Sequence, residues 1–106
     1  MTTMKDKRVL VTAGAAGIGR AIVQAFADAG AKVHVCDLNG AALAELRDQI
    51  PGVTTSEGDI GNRGAVERMV AEAATALGGL DVLVNNAGIA EPTASVEQMD
   101  PDAWEA

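Results

Sequence analysis

Short runs of apolar, mostly β-branched residues alternate along this chain with segments whose apolar positions recur every three or four residues. Arg8-Val-Leu-Val-Thr12 has the first pattern and predicts a strand, halted by Gly14, Gly17 and Gly19. From Ile18 the apolar positions Ile18, Ala21, Ile22, Ala25, Phe26 and Ala29 repeat at helical steps, and Gly30 stands where a helix-ending glycine belongs. Lys32-Val-His-Val-Cys-Asp37 predicts a second strand. The next helix turns Leu43, Leu46 and Ile50 inward and is stopped by Pro51-Gly52. A third unit repeats the plan, with Val53-Thr-Thr-Ser-Glu57 as strand and Val66, Met69, Val70, Ala73 and Leu77 as the inward stripe of a helix closed by Gly78-Gly79. Leu80-Asp-Val-Leu-Val84 predicts a fourth strand, running into Asn85-Asn-Ala-Gly88. Further on, a loop holds Pro92, Ser95-Val-Glu-Gln98 has the form of a capping box, and Asp100-Pro101 reads as the start of a helix.

Strand and helix alternation at this spacing predicts βαβ units, and right-handed crossovers make the strands parallel. The expected architecture is α/β: a doubly wound parallel sheet of the Rossmann type, strand order 3-2-1-4, in three αβα layers. A chain of 106 residues holds one such domain, 1–106. The fourth strand is almost continuously apolar, as in sheets covered on both faces, so as an edge it predicts pairing with another chain and self-association.

Charge and cysteine content narrow the partners. Eight basic against fifteen acidic residues leave a formal charge of −7, which opposes nucleic acid binding. A single dinucleotide is not barred, because local backbone N–H groups can hold its phosphates. Cys36 is the sole cysteine, so no internal disulfide forms and no Cys/His cluster offers a metal site. The N-terminal residues lack the apolar core of a secretion signal, and no apolar run is long enough for a membrane span, so the expected location is cytoplasmic.

Thr12-Ala-Gly-Ala-Ala-Gly-Ile-Gly19 joins a strand to a helix, where glycines let a phosphate approach backbone N–H groups at the positive helix end. A tight turn that binds nothing would use the same residues. A phosphate-loop NTPase is a poor match, because Arg20 and Ala21 replace the lysine and hydroxyl that its chemistry requires. A methyltransferase sheet carries a similar loop and stays open on fold alone. Asp37 ends the second strand close to the ~20-residue spacing expected of an acid that accepts from ribose hydroxyls; its plainer role is a helix cap or a solvated charge. Asp59, with the Ile60 N–H, could meet adenine or cap the following helix. Arg20 reads as a solvated first-turn side chain, and His34 and Cys36, on one strand face, as packing.

With these residues and Asn85-Asn-Ala-Gly88 in register, the chain resembles the classical short-chain dehydrogenase/reductase family over nearly its whole length. The family writes its loop TGxxxGxG; Ala13 stands at the first glycine position here. The resemblance implies an oxidoreductase that moves hydride between a nicotinamide cofactor and an alcohol or carbonyl substrate. Gly14, Ala15, Gly17, Ile18 and Gly19 would line the pyrophosphate, Asp37 and Leu38 the adenosine ribose, Asp59 and Ile60 the adenine, and Asn86, Ala87 and Gly88 the inner face of the cofactor. Asn85 would tie the fourth strand to its neighbours. Asp37 opposes a 2′-phosphate, so NAD is expected in preference to NADP. The family's tyrosine and lysine lie farther along its domain, and this chain has no tyrosine, so no catalytic residue is assigned and the chain alone is expected to be inactive. It reads as the cofactor-binding portion of a protein that continues, homo-oligomeric when complete. The alternative is a free-standing dinucleotide-binding module, a sensor or subunit without catalysis.

Overall fold

A computed structural model describes residues 4–86, which form β1 (Arg8–Thr12), α1 (Gly17–Asp28), β2 (Lys32–Asp37), α2 (Gly40–Gln49), β3 (Thr54–Glu57), α3 (Arg63–Leu77) and β4 (Val82–Asn85). The expected segments around Ser95–Gln98 and Asp100-Pro101 lie outside these residues. All strand pairs are parallel and the order is β3-β2-β1-β4, as the alternation predicts. Register places Leu10 between His34 and Leu83, and Val11 between Val35 and Val84.

Side chains alternate across the sheet and define two cores. Val9, Val11, Val33, Val35 and Val84 pack with Val23 of α1 and with Leu43 and Leu46 of α2. Leu10 and Cys36 pack with Val66, Met69 and Ala73 of α3 on the opposite side. The stripes expected on α2 and α3 are therefore the observed ones. That of α1 needs correction: Ile18, Ala21 and Ala25 are exposed, and the buried face runs through Gly19, Ile22, Val23, Phe26 and Ala27. Gly19 decides this, because its bare Cα lies against the β1 loop and turns Val23 onto the sheet.

The ends of the elements follow local chemistry. Asn39 and Asn62 cap α2 and α3, accepting from the N–H groups of Ala42 at 3.0 Å and Ala65 at 2.9 Å. Gly30 (φ +93°) and Gly78 (φ +80°) supply the left-handed turns that close α1 and α3. β4 starts at Val82 rather than Leu80. Asp81 is held before the strand by Arg8, whose backbone N–H and Nε each donate to Asp81 Oδ2 at 2.9 Å, while Leu80 packs toward the α3 core. Among the described residues, no helix is long and apolar enough to cross a membrane.

Candidate functional site

β1 and β4 end side by side, with Thr12 in register with Asn85, so the glycine loop and the two asparagines meet at the carboxyl edge of the sheet. Such an edge, where the strand order reverses, is where open α/β sheets bind ligands. Thr12 joins the two strand ends. Its buried hydroxyl donates to Asn85 Oδ1 at 3.0 Å and accepts the Asn86 N–H at 3.0 Å. Asn85 thus ties β4 to β1, as expected of it. Asn86 also faces the loop: Nδ2 donates to the Ala13 carbonyl at 3.0 Å, and Oδ1 is a buried acceptor without a partner among the described residues.

Ala13 adopts φ +54°, the left-handed conformation that a glycine would take without strain and that costs an L-residue roughly 1–2 kcal/mol. Two bonds hold it there, from its N–H to the Cys36 carbonyl at 2.7 Å and from Asn86 to its own carbonyl. The departure from the glycine pattern therefore leaves the turn in place.

The loop glycines serve different ends. A Cβ on Gly14 would lie 2.8 Å from Val35 Cγ1, so its bare Cα admits the aliphatic core. A Cβ on Gly19 would lie 2.1 Å from the Ala13 carbonyl and 2.6 Å from Asn86 Nδ2, so this glycine lets α1 begin against the strand ends. Gly17 is different: it has φ +60° and open space around it. Beside it, Ala16 occupies the N-cap position of α1 with no side-chain oxygen to offer, and no acidic residue stands in the first turn. Neither the N-cap residue nor the first turn of α1 therefore supplies a side chain that neutralises its positive end, which suits an anion-binding helix end.

Asp37 faces this loop from β2. Its Oδ2 accepts the Ala15 N–H at 3.1 Å and its Oδ1 the Asn39 N–H at 3.0 Å. It is not the cap of α2, which is Asn39. A carboxylate has about four lone-pair sites, so two remain for hydroxyl donors. Leu38 and Ile18, each 66% exposed, flank the same edge. Asp59 is exposed and turns back on the chain, accepting the Gly61 N–H at 2.8 Å, and the cap of α3 is Asn62. Ile60 packs its side chain toward the α3 core. Ala87 and Gly88 lie outside the described residues. Arg20 reaches across to Gln49 of α2 instead of standing free in solvent.

Sequence reasoning missed Thr12 as the group that joins the strand ends. Its signal was a hydroxyl residue closing an otherwise aliphatic strand in register with an Asn-Asn pair. It also passed over the pairing of Ala15 with Asp37, which no spacing rule encodes.

The described site combines an uncapped helix start, a strand-end carboxylate and an unsatisfied amide oxygen, and comparison with known proteins gives it a family. A family model described as short chain dehydrogenase matches residues 7–106. The chain is 41% identical to 3beta-hydroxysteroid dehydrogenase 2 of Eggerthella lenta over 96% of its own length and 41% of that protein's. It is 38% identical to L-fucose dehydrogenase of Mus musculus, over 92% of this chain and 36% of that one. Among solved structures, 3-ketoacyl-(acyl-carrier-protein) reductase from Brucella melitensis complexed with NADH superposes with a TM-score of 0.78 at 30% identity, covering 94% of this chain and 41% of that one. The chain thus spans about two fifths of the length of these relatives. It belongs to the short-chain dehydrogenase family.

Proposed function

We propose that residues 12–88 form the nicotinamide dinucleotide site of an oxidoreductase acting on an alcohol or carbonyl group, and that this site prefers NAD to NADP. The observation that carries the reading is the Asp37 carboxylate held against the Ala15 N–H, next to the uncapped start of α1. The residues fit a dinucleotide: the α1 start and Gly17 suit a pyrophosphate, Asp37 has acceptor capacity left for two ribose hydroxyls, and Asn86 Oδ1 awaits a donor. In this reading Gly14, Ala15, Ile18 and Gly19 would complete the loop, Leu38 would lie beside the ribose, Asp59 and the Ile60 N–H would meet the adenine, and Ala87 and Gly88 would continue the site from Asn86. When bound, the nicotinamide supplies the hydride acceptor or donor. The described residues would anchor it, and none of them is assigned the proton transfer. The NADH named with the Brucella melitensis reductase supports the cofactor class.

NAD preference follows from charge. A 2′-phosphate brought against Asp37 is a like-charge contact that costs several kcal/mol, and each ~1.4 kcal/mol is tenfold in affinity. Calorimetric titration of the chain with NAD and NADP is expected to show NAD tighter by at least about tenfold. Asp37→Asn keeps an oxygen acceptor for Ala15 and should narrow that ratio. Equal or tighter NADP binding by the wild-type chain would overturn the preference, and no binding of either would overturn the site.

A further inference from the structure

Glu57 closes β3 in register with Asp37, which closes β2. Side chains in register leave a sheet on the same face, and Val35, two residues before Asp37, packs into the core under α1 and α2. Both carboxylates therefore stand on that face, at the edge already assigned to the cofactor. They are held differently. Asp37 accepts from the N–H groups of Ala15 and Asn39. Glu57 is exposed and lies over the start of α2: a Cβ on Gly40, the first residue of that helix, would come within 2.8 Å of Glu57 Cδ and 3.2 Å of Oε2. Only a bare Cα admits the carboxylate there.

Neither acid has an ion-pair partner among the described residues. Arg68 of α3 bonds the backbone carbonyl of Glu57 at 2.8 Å, and its charge goes to Glu72 at 3.1 Å. The two negative charges are thus uncompensated and adjacent.

A ribose bound through Asp37 stands between two helix starts, since this carboxylate accepts from the loop before α1 and from the N-cap residue of α2. Helix starts are where phosphates gain most. The pyrophosphate takes the start of α1, so a further phosphate on that ribose would meet the start of α2. There the Asn39 side chain already accepts the Ala42 N–H at 3.0 Å, and the Glu57 carboxylate covers Gly40. We infer that Glu57 is a second determinant of cofactor choice, whose carboxylate, laid over the first residue of α2 beside Asp37, repels a 2′-phosphate from that helix start. The inference rests on the dinucleotide reading of Asp37 and adds a residue of β3 to it. Repulsion from two acids has a consequence: neutralising Asp37 alone leaves part of the preference for NAD in place.

The test is calorimetric titration with NAD and with NADP, at low salt, of the 106-residue chain and of its Glu57→Gln and Glu57→Lys variants. Glutamine keeps the shape of the side chain and removes the charge. An exposed carboxylate is screened by water and salt, so a moderate effect is expected: NADP binding at least about threefold tighter in Glu57→Gln, and tighter again in Glu57→Lys. The ratio of NAD to NADP affinity should also fall when Glu57→Gln is added to Asp37→Asn. A ratio that is the same with Glu, Gln and Lys at position 57, one that falls only because NAD binds more weakly, or one that Glu57→Gln leaves unmoved in the Asp37→Asn chain would overturn the role of Glu57. Either single variant decides the point if the other does not fold. A wild-type chain that binds neither cofactor would overturn the dinucleotide reading itself, so the two failures are told apart.

Discussion

The two faces of the sheet are built from different chemistry. Under α1 and α2 the strands present Val9, Val11, Val33 and Val35 to Val23, Leu43 and Leu46, and the buried members of this cluster are all aliphatic, with Phe26 packed against them. Under α3, β1, β2 and β3 present Leu10, His34, Cys36 and Ser56, where apolar packing is interleaved with a hydrogen-bonded polar row. The first face is held by removal of apolar surface from water, which has no direction and no dependence on pH. The second also needs every buried polar group paired, because one lost partner strands the other at full desolvation cost. Burial pushes the Cys36 thiol up to about 12, so at neutral pH it stays a neutral packing group.

The largest effect that separates the faces is expected on the aliphatic side. Leu46 is 1% exposed, and Leu46→Ala should cost ~2–5 kcal/mol through lost burial and the cavity left behind. Urea unfolding would show the same loss at pH 7.5 and pH 5.5, and a loss that changed with pH would break the contrast.

Next in size is Ser56→Ala, which leaves the buried His34 Nε2 without its hydroxyl partner and should cost ~1–3 kcal/mol at pH 7.5. Its face also has a pH signature. The proton affinity of His34 is lowered in the fold, so the wild-type unfolding midpoint should begin to fall as pH drops below 6.5, before Glu72 titrates below its ordinary 4.5. A midpoint flat between pH 7.5 and 5 would remove the distinction.

The smallest effect is expected outside both cores, at Arg8 and Asp81. This pair joins the starts of β1 and β4, is partly solvated, and holds the Asp81 carboxyl well below the usual carboxylate range through the bonds from Arg8. Its contribution is present above the ordinary 3.8 and is lost as pH falls below it. Asp81→Asn should lower the urea midpoint by less than Ser56→Ala, with the difference shrinking in 1 M salt.

The same division marks what could be read before folding was considered. The aliphatic face was legible because burial on that side follows a period: alternate valines in β1 and β2 and the leucine spacing in α2 need no knowledge of their partners. Periodicity puts the stripe of α1 about one position away from its place in the structure, because its rotation is set by the approach of Gly19 to Ala13 and Asn86, residues brought together by pairing of β1 with β4. The start of β4 differs from its sequence expectation for a related reason. Leu80-Asp-Val-Leu-Val84 has an unbroken strand composition, and only the partner Arg8 shows that Asp81 is retained before the ladder.

For the candidate site, the sequence alone determined the glycine loop between strand and helix, the strand-end Asp37, the asparagine pair and the parallel order that brings them to one edge. These rest on local rules: what a tight turn allows, how far apart a strand and its crossover lie, and which hand the crossover takes. The tertiary structure decided how each group is held. It placed the Ala15 N–H on Asp37, the Thr12 hydroxyl between the ends of β1 and β4, and His34 between the hydroxyls of Thr54 and Ser56. Those bonds join residues distant in the chain, and a hydrogen bond depends on distance and angle in space. Periodicity along the sequence determines which face a residue takes; which partner meets it there is decided only when the strands come into register.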